Sequence, residues 1–182
     1  MRLYMTGIKN ICDAENAVSL GASAIGIKMG YGMDDVHPET ARDIFFNLPV
    51  FISRVGIFVN EKRYHIQELV TFCRLDTLHF LGQEQPEDLE RYPEHIIKTF
   101  KQKDIARLKD YDLHGIVLKL NSGIVTGVDV KNMKKPSLIL SGDLTLSEWT
   151  QAIKNYQPYG IQWDLTVNDP KILPGLLREI FR

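Results

Sequence analysis

Short apolar runs alternate along this chain with longer amphipathic stretches. The runs predict strands at Leu3–Thr6, Ala24–Lys28, Phe51–Val59, Thr77–Phe80, Ile96–Phe100, Gly115–Lys119, Ser137–Leu140 and Gly160–Trp163. Near-continuous runs of this kind belong to strands buried on both faces. Helical spacing of three to four follows most of them, over 14–20, 38–47, 62–73, 86–91, 103–111, 146–155 and 170–181. Pro38, Pro86 and Pro170 fall where a first helical turn tolerates a missing N–H. The sixth unit is less regular: a helix between Asn121 and Lys135 is poorly patterned, and 131–136 reads as loop.

Strict strand–helix alternation implies right-handed crossovers and a parallel sheet. Eight units predict a closed, eight-stranded (β/α)8 TIM barrel of the α/β class. At 182 residues it is compact beside the roughly 250 typical of this fold. A single domain over 1–182 is expected, with no linker or low-complexity segment.

The sharpest local signal is Arg54-Val55-Gly56-Ile57-Phe58-Val59-Asn60-Glu61. It reads as a buried strand that stops at a polar turn, with Asn60 and Glu61 where a helix N-cap belongs.

Composition narrows the function classes. A formal net charge of −1 supplies no field for nucleic acid or an anionic membrane. The basic loop Lys131-Asn132-Met133-Lys134-Lys135 has no aromatic interleaving to change that. Two cysteines, Cys12 and Cys73, argue for a reducing compartment without disulfides. No run is long and apolar enough for a membrane span, and the N-terminal residues turn polar too soon for a signal peptide. A cytoplasmic protein is expected. His37, His65, His79, His95 and His114 lie far apart without ligand spacing, so no metal site and no cofactor are implied.

Several strand ends carry a resemblance. Tyr4-Met5-Thr6-Gly7-Ile8-Lys9-Asn10 is similar to Lys-Ile-Cys-Gly-Ile-Thr/Lys-Asn of the phosphoribosylanthranilate isomerases, barrel enzymes of tryptophan biosynthesis. Gly21-Ala22-Ser23-Ala24-Ile25-Gly26 resembles their Gly-Ala-Asp-Ala-Val-Gly, and the third strand matches almost completely. His79-Phe80-Leu81-Gly82 stands where they have Leu-His-Gly, and Leu138-Ile139-Leu140-Ser141-Gly142-Asp143-Leu144 where they have Leu-Leu-Ser-Gly-Gly-Leu.

The departures fall at the strand C-termini, where barrel enzymes place their chemistry. The resemblance implies a general-base cysteine where this chain has Thr6, and a general-acid aspartate where it has Lys119. The substrate-gripping arginine of the second loop is missing from Gly32-Met33-Asp34-Asp35-Val36. Ile161-Gln162-Trp163-Asp164-Leu165-Thr166-Val167-Asn168 has neither the family's Ser-Ser-Gly turn nor its acid in register. The family's Amadori isomerisation needs an acid at the ribose ring oxygen and a base at C2, both titrating near neutrality. A threonine hydroxyl has no accessible pKa for that task.

The expectation is a divergent paralogue, with isomerase activity altered or lost, that binds a small polar or phosphorylated ligand. The rivals are a genuine isomerase with unconventional acid and base, and a non-catalytic binding protein. Thr6, Lys119 and His79 are the candidate catalytic residues. His79 is the one histidine at a strand end. Lys28, Ser141, Gly142, Asp143 and Asp164 are the candidate ligand contacts. Ser141-Gly142 keeps a small turn through which backbone N–H groups could approach an anion, although Asp143 follows it. Lys28 and Lys119 are also candidates for Schiff-base chemistry, by analogy of fold. Neither a nucleic acid nor a membrane is expected as partner, and the oligomeric state is left open.

Overall fold

A computed structural model describes residues 1–30, 32–123 and 137–181. Eight parallel strands close a barrel in sequence order: β1 (Arg2–Thr6), β2 (Ala24–Lys28), β3 (Ser53–Phe58), β4 (Thr77–Phe80), β5 (His95–Lys101), β6 (Gly115–Lys119), β7 (Ser137–Ser141) and β8 (Gly160–Asp164). The expected architecture is therefore present. β8 returns to pair with β1 from Arg2 opposite Gly160 to Thr6 opposite Asp164.

Helices α1 (Ile11–Ser19), α2 (Pro38–Phe46), α3 (Arg63–Cys73), α4 (Pro86–Leu89), α5 (Leu146–Tyr156) and α6 (Leu173–Ile180) pack outside. Local chemistry starts several of them. The Asn10 side chain caps α1 by accepting from the Asp13 N–H, and Thr145 with Glu148 forms a capping box on α5. Pro38 and Pro86 open α2 and α4.

Several local expectations change. The third strand spans Ser53–Phe58 rather than Phe51–Val59, and Phe51 stands before it at φ 73°. Residues 102–110 form a 3-10 segment. Ile105 and Leu108 lie three apart, a spacing that stacks side chains on one edge of a 3-10 turn, and both pack with Phe100 and Ile116. Pro170 precedes the last helix, which has Pro174 in its first turn instead. Asn60 does not cap α3: Lys62 occupies that position, while Asn60 turns left-handed at φ 52°. Its Oδ1 accepts from the Gln83 N–H at 2.7 Å. The expected helix of the sixth unit and the basic loop after it lie outside the described residues.

Alternation along the strands sorts side chains into two layers. Leu3, Met5, Ile25, Ile27, Leu78, Phe80, Leu118, Leu140, Ile161 and Trp163 face the helices and form the main core. Tyr4, Val55, Ile57, Ile97 and Val117, with Ala24 and Ile139, fill the barrel interior. At the N-terminal end this interior opens into a cavity of about 510 Å³ rimmed by Arg2, Phe51 and Tyr159. Among the described residues no helix is long and apolar enough to cross a membrane.

Candidate functional site

The parity that points Tyr4 and Val117 inward also points inward the last residues of the strands. Thr6, Lys28, Lys101, Lys119, Ser141 and Asp164 thus converge on the C-terminal mouth. The floor cavity lies at the opposite end. We take the mouth as the candidate site, because polar and titratable groups converge there and barrel loops build sites at that face.

Thr6 and Asp164 form its centre. Thr6 is 1% exposed. Its Oγ1 donates to Asp164 Oδ2 at 3.0 Å and accepts from Gln162 Nε2 at 3.1 Å. Asp164 Oδ1 accepts from the Thr166 N–H at 2.8 Å and from Thr166 Oγ1 at 2.6 Å. Asn168 clasps the turn: its Oδ1 accepts from the Asp164 N–H, and its Nδ2 donates to the Gly142 carbonyl. The fit depends on Gly7. Its φ is +77°, and a Cβ there would stand 2.7 Å from Asp164 Oδ1 and 3.0 Å from the Leu165 nitrogen.

The candidate lysines divide. Lys28 is paired with Asp35 at 2.7 Å. Asp35 is held in place by the Gly32 N–H, and the Val36 N–H donates back to the Lys28 carbonyl. The second loop therefore closes on its own lysine. Lys119 is exposed at the end of β6, and among the described residues no carboxylate lies within 4.0 Å of it. Ser141 and Gly142 are half-buried at the end of β7, and Asp143 is exposed beyond them.

His79 lies below the mouth rather than on it. It is 0% exposed, with Nδ1 3.0 Å from the Tyr4 hydroxyl and Nε2 2.8 Å from Thr99 Oγ1. Burial, and secondarily the Lys98 ammonium, push its pKa down to about 3. A neutral imidazole offers one N–H and one lone pair, and the two hydroxyls can complement either tautomer. Burial also raises the Tyr4 hydroxyl well above its usual range. The three groups form a neutral polar layer inside the barrel.

Neither cysteine reaches the mouth. Cys12 is exposed on α1, and Cys73 is buried on α3, 3.7 Å from the Pro38 carbonyl. Burial pushes the Cys73 thiol up to about 11. Sequence reading missed Gln162 and Lys101. Gln162 announces itself only once β8 is registered on β1. Lys101 was readable from parity, two positions beyond Thr99, had the fifth strand been extended by one residue.

Eight parallel strands with a polar C-terminal mouth define a barrel of the enzyme-bearing type, and the comparisons with known proteins narrow it. No family model matches the chain. The N-(5'-phosphoribosyl)anthranilate isomerase of Moorella thermoacetica is 30% identical over 178 residues, 88% of this chain and 78% of that protein. That of Geotalea uraniireducens is 32% identical over 173 residues, 88% and 85% of the two chains. A solved phosphoribosylanthranilate isomerase in complex with reduced 1-(o-carboxyphenylamino)-1-deoxyribulose 5-phosphate superposes with a TM-score of 0.83. It is 25% identical, with 98% of this chain and 97% of that one covered. The chain belongs to the phosphoribosylanthranilate isomerase family. The barrel by itself is less particular: thiamine phosphate pyrophosphorylase from Pyrococcus furiosus shares it at a TM-score of 0.68 and 12% identity.

Proposed function

We propose that this chain is a divergent member of its family, with isomerase chemistry altered or lost, whose mouth binds a small polar or phosphorylated ligand. The observation that carries this reading is the environment of Thr6. A buried hydroxyl tied to Asp164 and Gln162 stands where the family resemblance implies a thiolate base. Lys119 stands where it implies a carboxylic acid. General acid and base terms contribute about 10²- to 10⁴-fold each, so replacing both removes most of the family's catalysis. In this reading Asp164, Ser141, Gly142 and Asp143 contact the ligand's polar groups and Lys119 its anionic part. Lys28 shapes the rim, and His79 supports the floor of the site. A cytoplasmic location accords with the two unbridged cysteines.

One observation favours a second reading, a working isomerase of tryptophan biosynthesis. The Asp164 carboxylate lies 3.0 Å from Thr6 Oγ1, close to the implied base position, and Lys119 stands at the end of β6 on the same mouth. Turnover of freshly made N-(5'-phosphoribosyl)anthranilate decides between them, with Thr6→Ala, Asp164→Asn and Lys119→Ala alongside. The divergent reading expects no turnover above background in the parent. Turnover in the parent that collapses in Asp164→Asn and Lys119→Ala would overturn it in favour of the rebuilt acid–base pair.

A further inference from the structure

Lys119 has a neighbour of the same charge. The register of β5 on β6 sets Lys101 opposite Lys119. Phe100 and Leu118, the pair before them, are buried on the helix side, so both lysines project into the mouth. Both are exposed, and among the described residues neither has a carboxylate within 4.0 Å. Adjacent strands lie about 4.8 Å apart, and like charges directly opposite each other destabilise a sheet. Lys28 is already neutralised by Asp35. Asp164 is held at the far wall by Thr6 and Thr166. Among the described residues, the β5–β6 edge of the mouth therefore presents two positive charges side by side with no carboxylate partner.

We propose that Lys101 and Lys119 together bind the phosphate group of a small phosphate monoester. This inference rests on the reading of the mouth as the ligand site and adds the place and class of its anion. A phosphate monoester carries about −1.5 to −2 charges near neutrality, which matches two ammonium groups where a single carboxylate would not. Another place, the loop after β8, is closed to an anion. Its N–H groups are used internally: Leu165 donates to the Thr6 carbonyl, Val167 and Asn168 to the Asp164 carbonyl, and Thr166 to Asp164 Oδ1. The Asp164 carboxylate, bonded to Thr6 and Thr166 beside that loop, repels an anion there. With the phosphate at β5–β6, the rest of the ligand extends across the mouth toward Asp164.

Calorimetric titration with inorganic phosphate, ribose 5-phosphate and ribose tests this on the parent, Lys101→Met, Lys119→Met and Asp164→Asn, at low and high salt. Both lysine variants should weaken phosphate and ribose 5-phosphate about tenfold or more, the scale of one charge-assisted hydrogen bond. Added salt should weaken the parent likewise, and Asp164→Asn should weaken ribose 5-phosphate alone. Thermal unfolding serves as the folding control, since removing one of two like charges should leave the midpoint level or raised. Absence of phosphate binding in the parent, or equal binding in parent and lysine variants, overturns the proposal. Ribose 5-phosphate binding lost in Asp164→Asn but kept in the lysine variants overturns it while leaving the mouth as the ligand site. Phosphate binding that needs the lysines, with ribose 5-phosphate no tighter than phosphate and indifferent to Asp164→Asn, keeps the anion site and sinks the wider reading.

Discussion

Glu84 Oε2 lies 2.7 Å from Lys98 Nζ on the outer side of the barrel wall, and the two side chains are only 7% and 5% exposed. The pair is fully engaged. Glu84 Oε1 accepts from the Asn60 N–H, and Lys98 also donates to the Gly82 carbonyl. One ion pair therefore ties the turns after β3 and β4 to the middle of β5. Removing one partner of a buried pair strands the other charge, at a cost of about 3–5 kcal/mol. Glu84→Ala should lower the urea-unfolding free energy by that amount. A loss under about 1 kcal/mol, the scale of an exposed pair, would show that water reaches Lys98.

His79 predicts a pH dependence with a definite sign. Its folded pKa, about 3, lies below the ordinary value of about 6.5. Below pH 6.5 the unfolded chain takes up a proton that the folded chain refuses. The contribution of the neutral imidazole is complete above that pH and declines as pH falls from 6.5 toward 3. Its slope approaches about 1.4 kcal/mol per pH unit. Thermal midpoints of parent and His79→Gln should converge as pH falls from 7 to 5. Parallel curves would mean that His79 titrates normally.

Glu148 works in a lower window. It accepts from the Thr145 and Gly123 N–H groups and from the Ser122 and Thr145 hydroxyls, which hold its carboxyl down at about 2. It joins the start of the loop after β6 to the cap of α5. Stability from this depressed carboxylate is present above pH 4.5 and lost as pH falls toward 2. Glu148→Gln should lower the midpoint at pH 7 and have little effect at pH 2.5, by calorimetry. An equal deficit at both pH values would assign the effect to packing.

Phe51 is 96% exposed and holds φ +73°, a region that L side chains occupy at a cost of about 1–2 kcal/mol. Phe51→Gly relieves that strain against about 0.5–1 kcal/mol of added unfolded-chain entropy. The midpoint should rise by about 1–3 °C. A fall would show that the ring is held by contacts that offset its strain.

Much of the scaffold was legible in the pattern of the chain. β2, β4 and β6 begin and end where expected, because their central residues are buried on both faces of the wall and read as near-continuous apolar runs. Boundaries slipped where a polar side chain continues a strand into the mouth, at Lys101, Ser141 and Asp164. Asn60 was misread because cap-forming and left-handed positions favour the same residue type. The site was less legible than the barrel. The family resemblance points to Thr6 and Lys119, and the end of the eighth strand to Asp164. Thr6 meets Asp164 and Gln162, and Lys119 meets Lys101, through strand pairing that no local pattern contains. His79 was drawn toward the mouth by its nearness to a strand end, whereas the parity of β4 sinks it among Tyr4 and Thr99.

The bond between Thr6 and Asp164 joins residues 158 positions apart. It exists only when the last strand has come round to the first. Contacts of such long separation form late and slowly. The centre of the mouth therefore depends on two strands from opposite ends of the chain, and it is absent until β8 has docked on β1. The same hydrogen bond that shapes the site also joins the two ends of the barrel sheet.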